Sequence, residues 1–262
     1  MDERQQRDAG FGGGARYASS RPGYPPEVIA EVVAQLGLGP GDVVVDVGAG
    51  TGQCTGSLLD AGMGVVAVEP VADMREALRG AHPRADVRDG TAEALPLAAG
   101  SVAAYVAAQA FHWFEVPRAL AELDRVVAPG GRAALLFNKR DTDPDWMAAW
   151  DRLVESVATG PRAASSNWRE QVATSGLVEV VHAWSTPNPH HQRREDLIQR
   201  FRSSSAIAGL EPDRQEALTA AFEAIIDGEP ATAGQDVIAV PYRTECTILA
   251  RRDASATDTP GS

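Results

Sequence analysis

Short β-branched runs alternate along this chain with stretches whose apolar positions recur every three or four residues. Pro25–Leu36 carries Val28, Ile29, Val32, Val33 and Leu36 at helical spacing behind its prolines, which predicts a helix. Val43–Val47 is a continuous β-branched run, as expected of a strand buried on both faces of a parallel sheet. The pattern goes on to predict a helix over Gln53–Ala61, a strand over Gly64–Glu69 and a helix over Val71–Arg79. A short strand follows at Ala85–Arg88 and a longer one at Val102–Ala108. Glu115–Val127 lines up Leu120, Leu123, Val126 and Val127 as a helical stripe that Pro129-Gly130-Gly131 ends, before a fifth strand at Arg132–Asn138. Strands separated by helices in this way predict a doubly wound α/β sheet.

The second half has a different texture. Asp145–Val157 is amphipathic, with Trp146, Trp150, Leu153 and Val157 on one face. A strand at Leu177–Ser185 leads into Thr186-Pro187-Asn188-Pro189, which predicts a bend. Helices are expected at Arg194–Ser203 and Pro212–Asp227, and a last strand at Thr244–Arg251 returns to the sheet. The expected fold is thus a Rossmann-like, mostly parallel seven-stranded sheet with helices on both faces. Helices within 141–240 are added to it as a cap over the ligand-binding edge.

Composition narrows the partners. The 262 residues carry 36 acids against 24 bases, a formal charge of −12, so the field of the protein repels phosphate backbones and argues against a nucleic-acid partner. No apolar run approaches the roughly 20 residues of a membrane span, and Met1–Arg16 lacks the apolar core of a secretory signal. Cys54 and Cys246 are too few for a disulfide framework, which makes a reducing cytoplasm the expected location. Abundant Ala and Arg beside a single lysine, Lys139, read as the coding bias of a GC-rich bacterial genome.

The chemistry concentrates where strands end. Val43–Val47 runs into Gly48-Ala-Gly-Thr-Gly52 and then directly into a helix. Glycines there allow a sharp turn and close approach of a ligand, at the sheet edge where open α/β folds bind their ligands. A tight turn with no ligand is the competing reading. Gln53 stands where a dinucleotide fingerprint needs its third glycine, and no Gly-Lys-Ser/Thr of a phosphate loop is present. An amino-acid and nucleoside moiety suits the loop better than a pyrophosphate. Glu69, closing the second strand, is placed to accept both hydroxyls of a ribose. Asp89-Gly-Thr-Ala-Glu93 and Ala108-Gln-Ala-Phe-His-Trp-Phe114 follow the third and fourth strands.

Together with Arg21-Pro-Gly-Tyr-Pro25, Gly90-Thr-Ala-Glu-Ala-Leu-Pro96, Arg125-Val-Val-Ala-Pro-Gly-Gly131 and Pro241-Tyr-Arg-Thr-Glu245, these segments resemble class I S-adenosylmethionine-dependent methyltransferases. The branch they are similar to is the small-molecule one of the trans-aconitate methyltransferases, with a type 11 methyltransferase domain. The resemblance implies S-adenosyl-L-methionine as cofactor and S-adenosyl-L-homocysteine as product. It implies that Gly48, Ala49, Gly50, Thr51 and Gly52 contact the methionine portion, Glu69 the ribose, and Met74 the adenine. Gly90, Thr91 and Ala92 would meet the adenine edge, Thr91 standing where many relatives have an acid. Gln109 and Ala110 would surround the sulfonium, with Tyr17 and Arg21 closing over the cofactor carboxylate. Tyr24, His112 and Trp113 would face the acceptor. The implied organisation is a cofactor-covering segment at 1–24 and a cofactor-binding core at 25–141. A mostly helical insertion on the acceptor side (142–240), a final strand (241–252) and a disordered tail (253–262) complete it. Val102-Ala-Ala-Tyr105 departs from relatives, which commonly carry an acid after the valine; a packing effect is expected.

His112 is open to two roles, general base or aromatic pocket wall with Trp113. His190 and His191 lack a third partner at metal-ligand spacing and are expected in a surface loop, with no metal site. Ser203–Ser205 read as a polar helix end before a lining of the acceptor pocket, and Arg193, Arg194, Arg200 and Arg202 mostly as a solvated face before a site for an anionic acceptor. The expected activity is methyl transfer to an oxygen or nitrogen, a carboxylate included, of a small metabolite or natural product, by a monomer or homodimer. The alternatives are a nicotinamide oxidoreductase, disfavoured by Gln53, and a cofactor binder that cyclises its substrate or performs no catalysis.

Overall fold

In the computed structural model, which describes residues 22–157 and 167–252, strand parity decides which layer each side chain joins. From β1 (Val43–Val47), Val45 and Val47 enter one buried cluster while Val44 enters another. β2 (Gly64–Val68), β3 (Asp86–Arg88), β4 (Val102–Ala108) and β5 (Val127–Arg140) run parallel to β1. Two later strands, β6 (Val178–Pro187) and β9 (Tyr242–Arg251), complete a seven-stranded sheet of order β3-β2-β1-β4-β5-β9-β6, with β9 antiparallel to both neighbours.

One face is covered by α1 (Pro26–Leu36) and α2 (Gln53–Asp60). Pro26 opens α1, where a missing N–H costs nothing, and Gly37 closes it in the left-handed region at φ +71°. The other face is covered by α4 (Val116–Val126), whose Leu120 and Leu123 are buried, and by α6 (Trp168–Thr174), which sends in Trp168 and Val172. Between β2 and β3 lies α3 (Ala72–Ala81), with Met74 and Leu78 buried.

A third buried cluster joins α5 (Asp145–Glu155), α7 (Arg194–Arg202), α8 (Ser205–Ala208), α9 (Pro212–Gly228) and β8 (Val237–Val240). Phe201 and Phe222 stack within it at 4.3 Å, and Trp150 meets Phe222 at 4.8 Å. β8 pairs antiparallel with β7 (His190–Arg193), a two-stranded sheet that corrects the surface loop expected at His190 and His191. Those residues pair with Val240 and Ala239 because the bend before them turns the chain onto β8. A second correction concerns Pro129-Gly130-Gly131. α4 passes straight into β5, and the register jumps from Val102↔Val127 to Ala104↔Arg132, so these residues form a bulge inside the strand. Gly131 is required there, since a Cβ would lie 2.5 Å from the Ala103 carbonyl oxygen.

Candidate cofactor and acceptor site

The loop after β1 is pinned to the end of β2. Gly48 and Ala49 donate their N–H groups to the Val68 carbonyl at 2.8 and 3.2 Å, and Gly52 donates to Ala49 at 2.9 Å. Gly48 and Gly52 sit at φ +69° and +92°, and a Cβ at Gly48 would stand 2.7 Å from the Ala110 Cβ. At Gly52 it would overlap the His82 ring at 2.6 Å, a neighbour that spacing gave no reason to single out. Met74 is buried, its sulfur nearest to where a Cβ on Gly50 would lie.

Glu69 follows β2 and is buried. Its Oε2 accepts the Gly50 N–H and its Oε1 the Val71 N–H, both at 2.9 Å. A carboxylate is an acceptor at both oxygens, the chemistry that a pair of ligand hydroxyls requires. Arg75, absent from the sequence-based candidates, donates to the Glu69 carbonyl at 2.8 Å and to Asp89 at 3.1 Å, tying the exits of β2 and β3 together. The turn after Asp89 is tight. Gly90 has no room for a Cβ against Pro96, Thr91 bridges to Ala94, and Ala92 is buried. Arg125 with Glu122 clamps this loop through the Leu95 and Leu97 carbonyls and the Leu95 N–H.

Asp46 is likewise absent from the sequence-based candidates, and its signal in the sequence is a single carboxyl inside an apolar run. It faces α2, accepts the Thr55 hydroxyl at 2.6 Å on Oδ2, and leaves buried Oδ1 without a protein hydrogen bond. Burial first, and the nearby Glu69 carboxylate next, raise it to about 6 from 3.8, against the Thr55 hydrogen bond. The folded protein therefore holds this proton more tightly than the unfolded chain. The associated stability is full below about pH 4, falls as pH rises through about 6, and is then flat. Asp46→Asn does not titrate, so wild-type minus variant unfolding free energy should drop by up to about 3 kcal/mol between about pH 4 and 7. Denaturant unfolding across that range checks this, and a constant difference contradicts it.

β4 is followed directly by Gln109, the one non-glycine residue with positive φ, +57°, among the described residues. Such backbone costs on the order of 1–3 kcal/mol and persists only where neighbours hold it. Its N–H bonds the Leu136 carbonyl and its Nε2 the Asn138 carbonyl, both at 2.8 Å. Ala110 abuts Gly48, so the exits of β1 and β4 meet. A short 3₁₀ turn, Phe111–Trp113, then sets an aromatic group. His112 lies 4.8 Å from Trp113 and 5.7 Å from Phe137, Phe137 stacks on Trp168 at 5.5 Å, and Trp113 is 51% exposed. Thr51 completes the glycine loop, half-buried. Tyr105 is fully buried with its hydroxyl lacking a hydrogen-bond partner, and burial pushes it well above the ordinary phenol range.

The other expected residues are placed as follows. Tyr24 is buried beside Val28 and Ile29 in the cluster under α1. Tyr17 and Arg21 lie outside the described residues. Ser203 and Ser204 spend their hydroxyls on the α7 carbonyls of Arg200 and Phe201. Arg193 pairs with Glu195 and Asp196 in solvent, whereas Arg200 is half-buried, lies over Trp150 and donates to the Tyr242 hydroxyl at 3.3 Å. That corrects the solvated face expected for Arg200. Among the described residues no three His, Cys, Asp or Glu side chains could hold a metal ion, and no helix is long and apolar enough to cross a membrane.

A loop closed to Cβ atoms at Gly48 and Gly52, a buried carboxylate held on main-chain N–H groups and a buried carboxyl with one oxygen lacking a protein hydrogen bond fit an adenosyl amino acid. The order of the sheet is that of a class I methyltransferase. A family profile described as a methyltransferase domain matches residues 45–135. Over 245 residues the chain is 31% identical to an uncharacterized methyltransferase of Mycobacterium tuberculosis, covering 88% of this chain and 90% of that one. It is 32% identical over 219 residues to a malonyl-[acyl-carrier protein] O-methyltransferase of Methylococcus capsulatus, covering 72% and 79%. A solved structure from Anaeromyxobacter dehalogenans, described as a type II methyltransferase, aligns with a TM-score of 0.65 at 25% identity over 88% of this chain and 97% of that one. The chain belongs to the methyltransferase family. It is an enzyme that uses S-adenosylmethionine.

Proposed function

We propose that the chain transfers a methyl group to an oxygen or nitrogen of a small molecule, releasing S-adenosylhomocysteine. The observation that carries the reading is the half-exposed aromatic group at the exit of β4, continuous through Ala110 with the glycine cradle. An aromatic wall beside a cofactor cradle suits a compact organic acceptor. The Methylococcus capsulatus relative, named an O-methyltransferase, favours oxygen over nitrogen. In this reading Gly48–Gly52 hold the methionine portion, Glu69 the ribose, Met74 with Gly90, Thr91 and Ala92 the adenine, and Gln109 with Ala110 the sulfur. The third cluster, from α5 through β8, forms the acceptor side.

When bound, the cofactor supplies a methyl already activated on a sulfonium, so the chain needs no nucleophile of its own. Its residues have to align the acceptor and exclude water, which contributes on the order of 7–11 kcal/mol. His112 acts as wall, packed between Trp113 and Phe137. His112→Ala should then raise the acceptor KM about tenfold while kcat stays within about threefold. A fall in kcat of about a hundredfold or more would instead make His112 a base. Incubation with methyl-labelled cofactor and a metabolite panel, followed by mass analysis, tests the activity. Gain of one methyl by a panel member supports it. Release of methylthioadenosine with ring closure would replace it with the cyclisation reading.

A further inference from the structure

The strands that face the acceptor side are joined at one point. Asn138, just before β5 ends, Asn188, in the bend between β6 and β7, and Thr244, near the start of β9, are all buried. Thr244 Oγ1 donates to Asn138 Oδ1 at 2.6 Å. Asn188 Nδ2 reaches Asn138 Oδ1 at 3.2 Å, Thr244 Oγ1 at 3.0 Å and the Gly23 carbonyl at 2.8 Å. Asn138 Nδ2 donates to the Pro22 and Gly23 carbonyls at 2.8 and 3.2 Å. The same residue's main-chain carbonyl accepts the Gln109 side chain. Each of the three stands within a few residues of a crossing between the sheet and the third cluster, β5 to α5, β6 to β7 and β8 to β9. Two main-chain bonds brace those crossings, Asp141 N–H to the Pro241 carbonyl at 3.0 Å and Asn188 N–H to the Tyr242 carbonyl at 2.7 Å.

We infer that Asn138, Asn188 and Thr244 are positioning residues that hold Gln109 in its left-handed conformation and lock the crossings of the third cluster to the rim of the cofactor pocket. Apolar side chains would fill the same space but impose no direction. A buried, satisfied polar network fixes the angle at which each segment leaves. Gln109 gains its place from two carbonyls of β5, and the second belongs to the residue at the centre of the network. A loosened Asn138 therefore frees the residue whose backbone has the most to gain by relaxing. The effect on cofactor affinity rests on the reading that Gln109 borders the sulfur; the effect on backbone protection does not.

The test compares Thr244→Val, which keeps the shape and removes the hydroxyl, with Thr244→Ser, which restores it. Amide hydrogen exchange on the full chain, with and without S-adenosylhomocysteine, is the readout. Thr244→Val should speed exchange about tenfold in peptides spanning 106–114 and 186–193, leave α2 and β2 at the wild-type rate, and weaken S-adenosylhomocysteine about tenfold. Thr244→Ser should keep both within about threefold of wild type. Unchanged exchange at 106–114, or an even increase over the whole chain, overturns the proposal. If Thr244→Val does not fold, Asn188→Ala leaves the Thr244–Asn138 bond in place and is read against the same outcomes. Should wild type fail to bind S-adenosylhomocysteine, the cofactor-site reading falls while the exchange pattern still decides the positioning role.

Discussion

Gly48→Ala is expected to destabilise the protein by about 2–4 kcal/mol and to weaken S-adenosylhomocysteine about a hundredfold. Two separate costs add. The first is conformational, because φ of +69° places an L-residue in the left-handed region. The second is steric, because the new Cβ would stand 2.7 Å from that of Ala110, and neither backbone can retreat freely. Gly48 is bound to Val68, and Ala110 follows the constrained Gln109. Relief therefore has to move the exits of β1 and β4 apart, and the proposed cofactor cradle opens with them. Denaturant unfolding and calorimetric titration measure the two effects. A variant with wild-type stability and affinity would mean that the loop tolerates a side chain and is no cradle.

Glu69→Gln is expected to weaken S-adenosylhomocysteine by a similar factor, about a hundredfold, with a smaller loss of stability. The carboxylate accepts two main-chain N–H groups, one on each oxygen. A carboxamide has one acceptor oxygen, so its NH₂ must confront either the Gly50 or the Val71 N–H. A misplaced donor in a buried site costs on the order of 1–3 kcal/mol. In the proposed site the amide also loses the ability to accept both ribose hydroxyls. Binding should therefore fall further than folding stability, which distinguishes a ligand contact from a purely structural one. Equal losses in both measurements would assign Glu69 to holding the loop alone.

The first half of the fold was legible because its strands are apolar runs of near-uniform character and its helices keep one stripe. Val43–Val47, Val102–Ala108 and Leu120/Leu123 each declare their layer locally. β7 and β8 were not legible. His190-His-Gln-Arg193 carries no alternation that separates strand from loop, and its pairing with Val237–Val240 spans the whole of α7 to α9. α6 escaped because only Trp168 and Val172 anchor its seven residues. Of the candidate site, Gly48–Gly52 and Glu69 could be named from their places at strand ends and Met74 only through the family resemblance, and the structure brings them together. Asn138, Asn188 and Thr244 could not, since each is an unremarkable polar residue until contacts 50 to 165 positions away give it partners. Arg200 misled because its guanidinium carbon lies over the Trp150 ring, 5.5 Å from the centroid, while the charge count suggests solvent.

The measurement that bears most directly on the account is a structure of the full chain with S-adenosylhomocysteine. The account predicts the ribose hydroxyls on the Glu69 carboxylate, the homocysteine portion along Gly48–Gly52 and its sulfur facing Gln109 and Ala110. The nucleoside bound at another edge of the sheet, away from the Glu69 carboxylate, would contradict it.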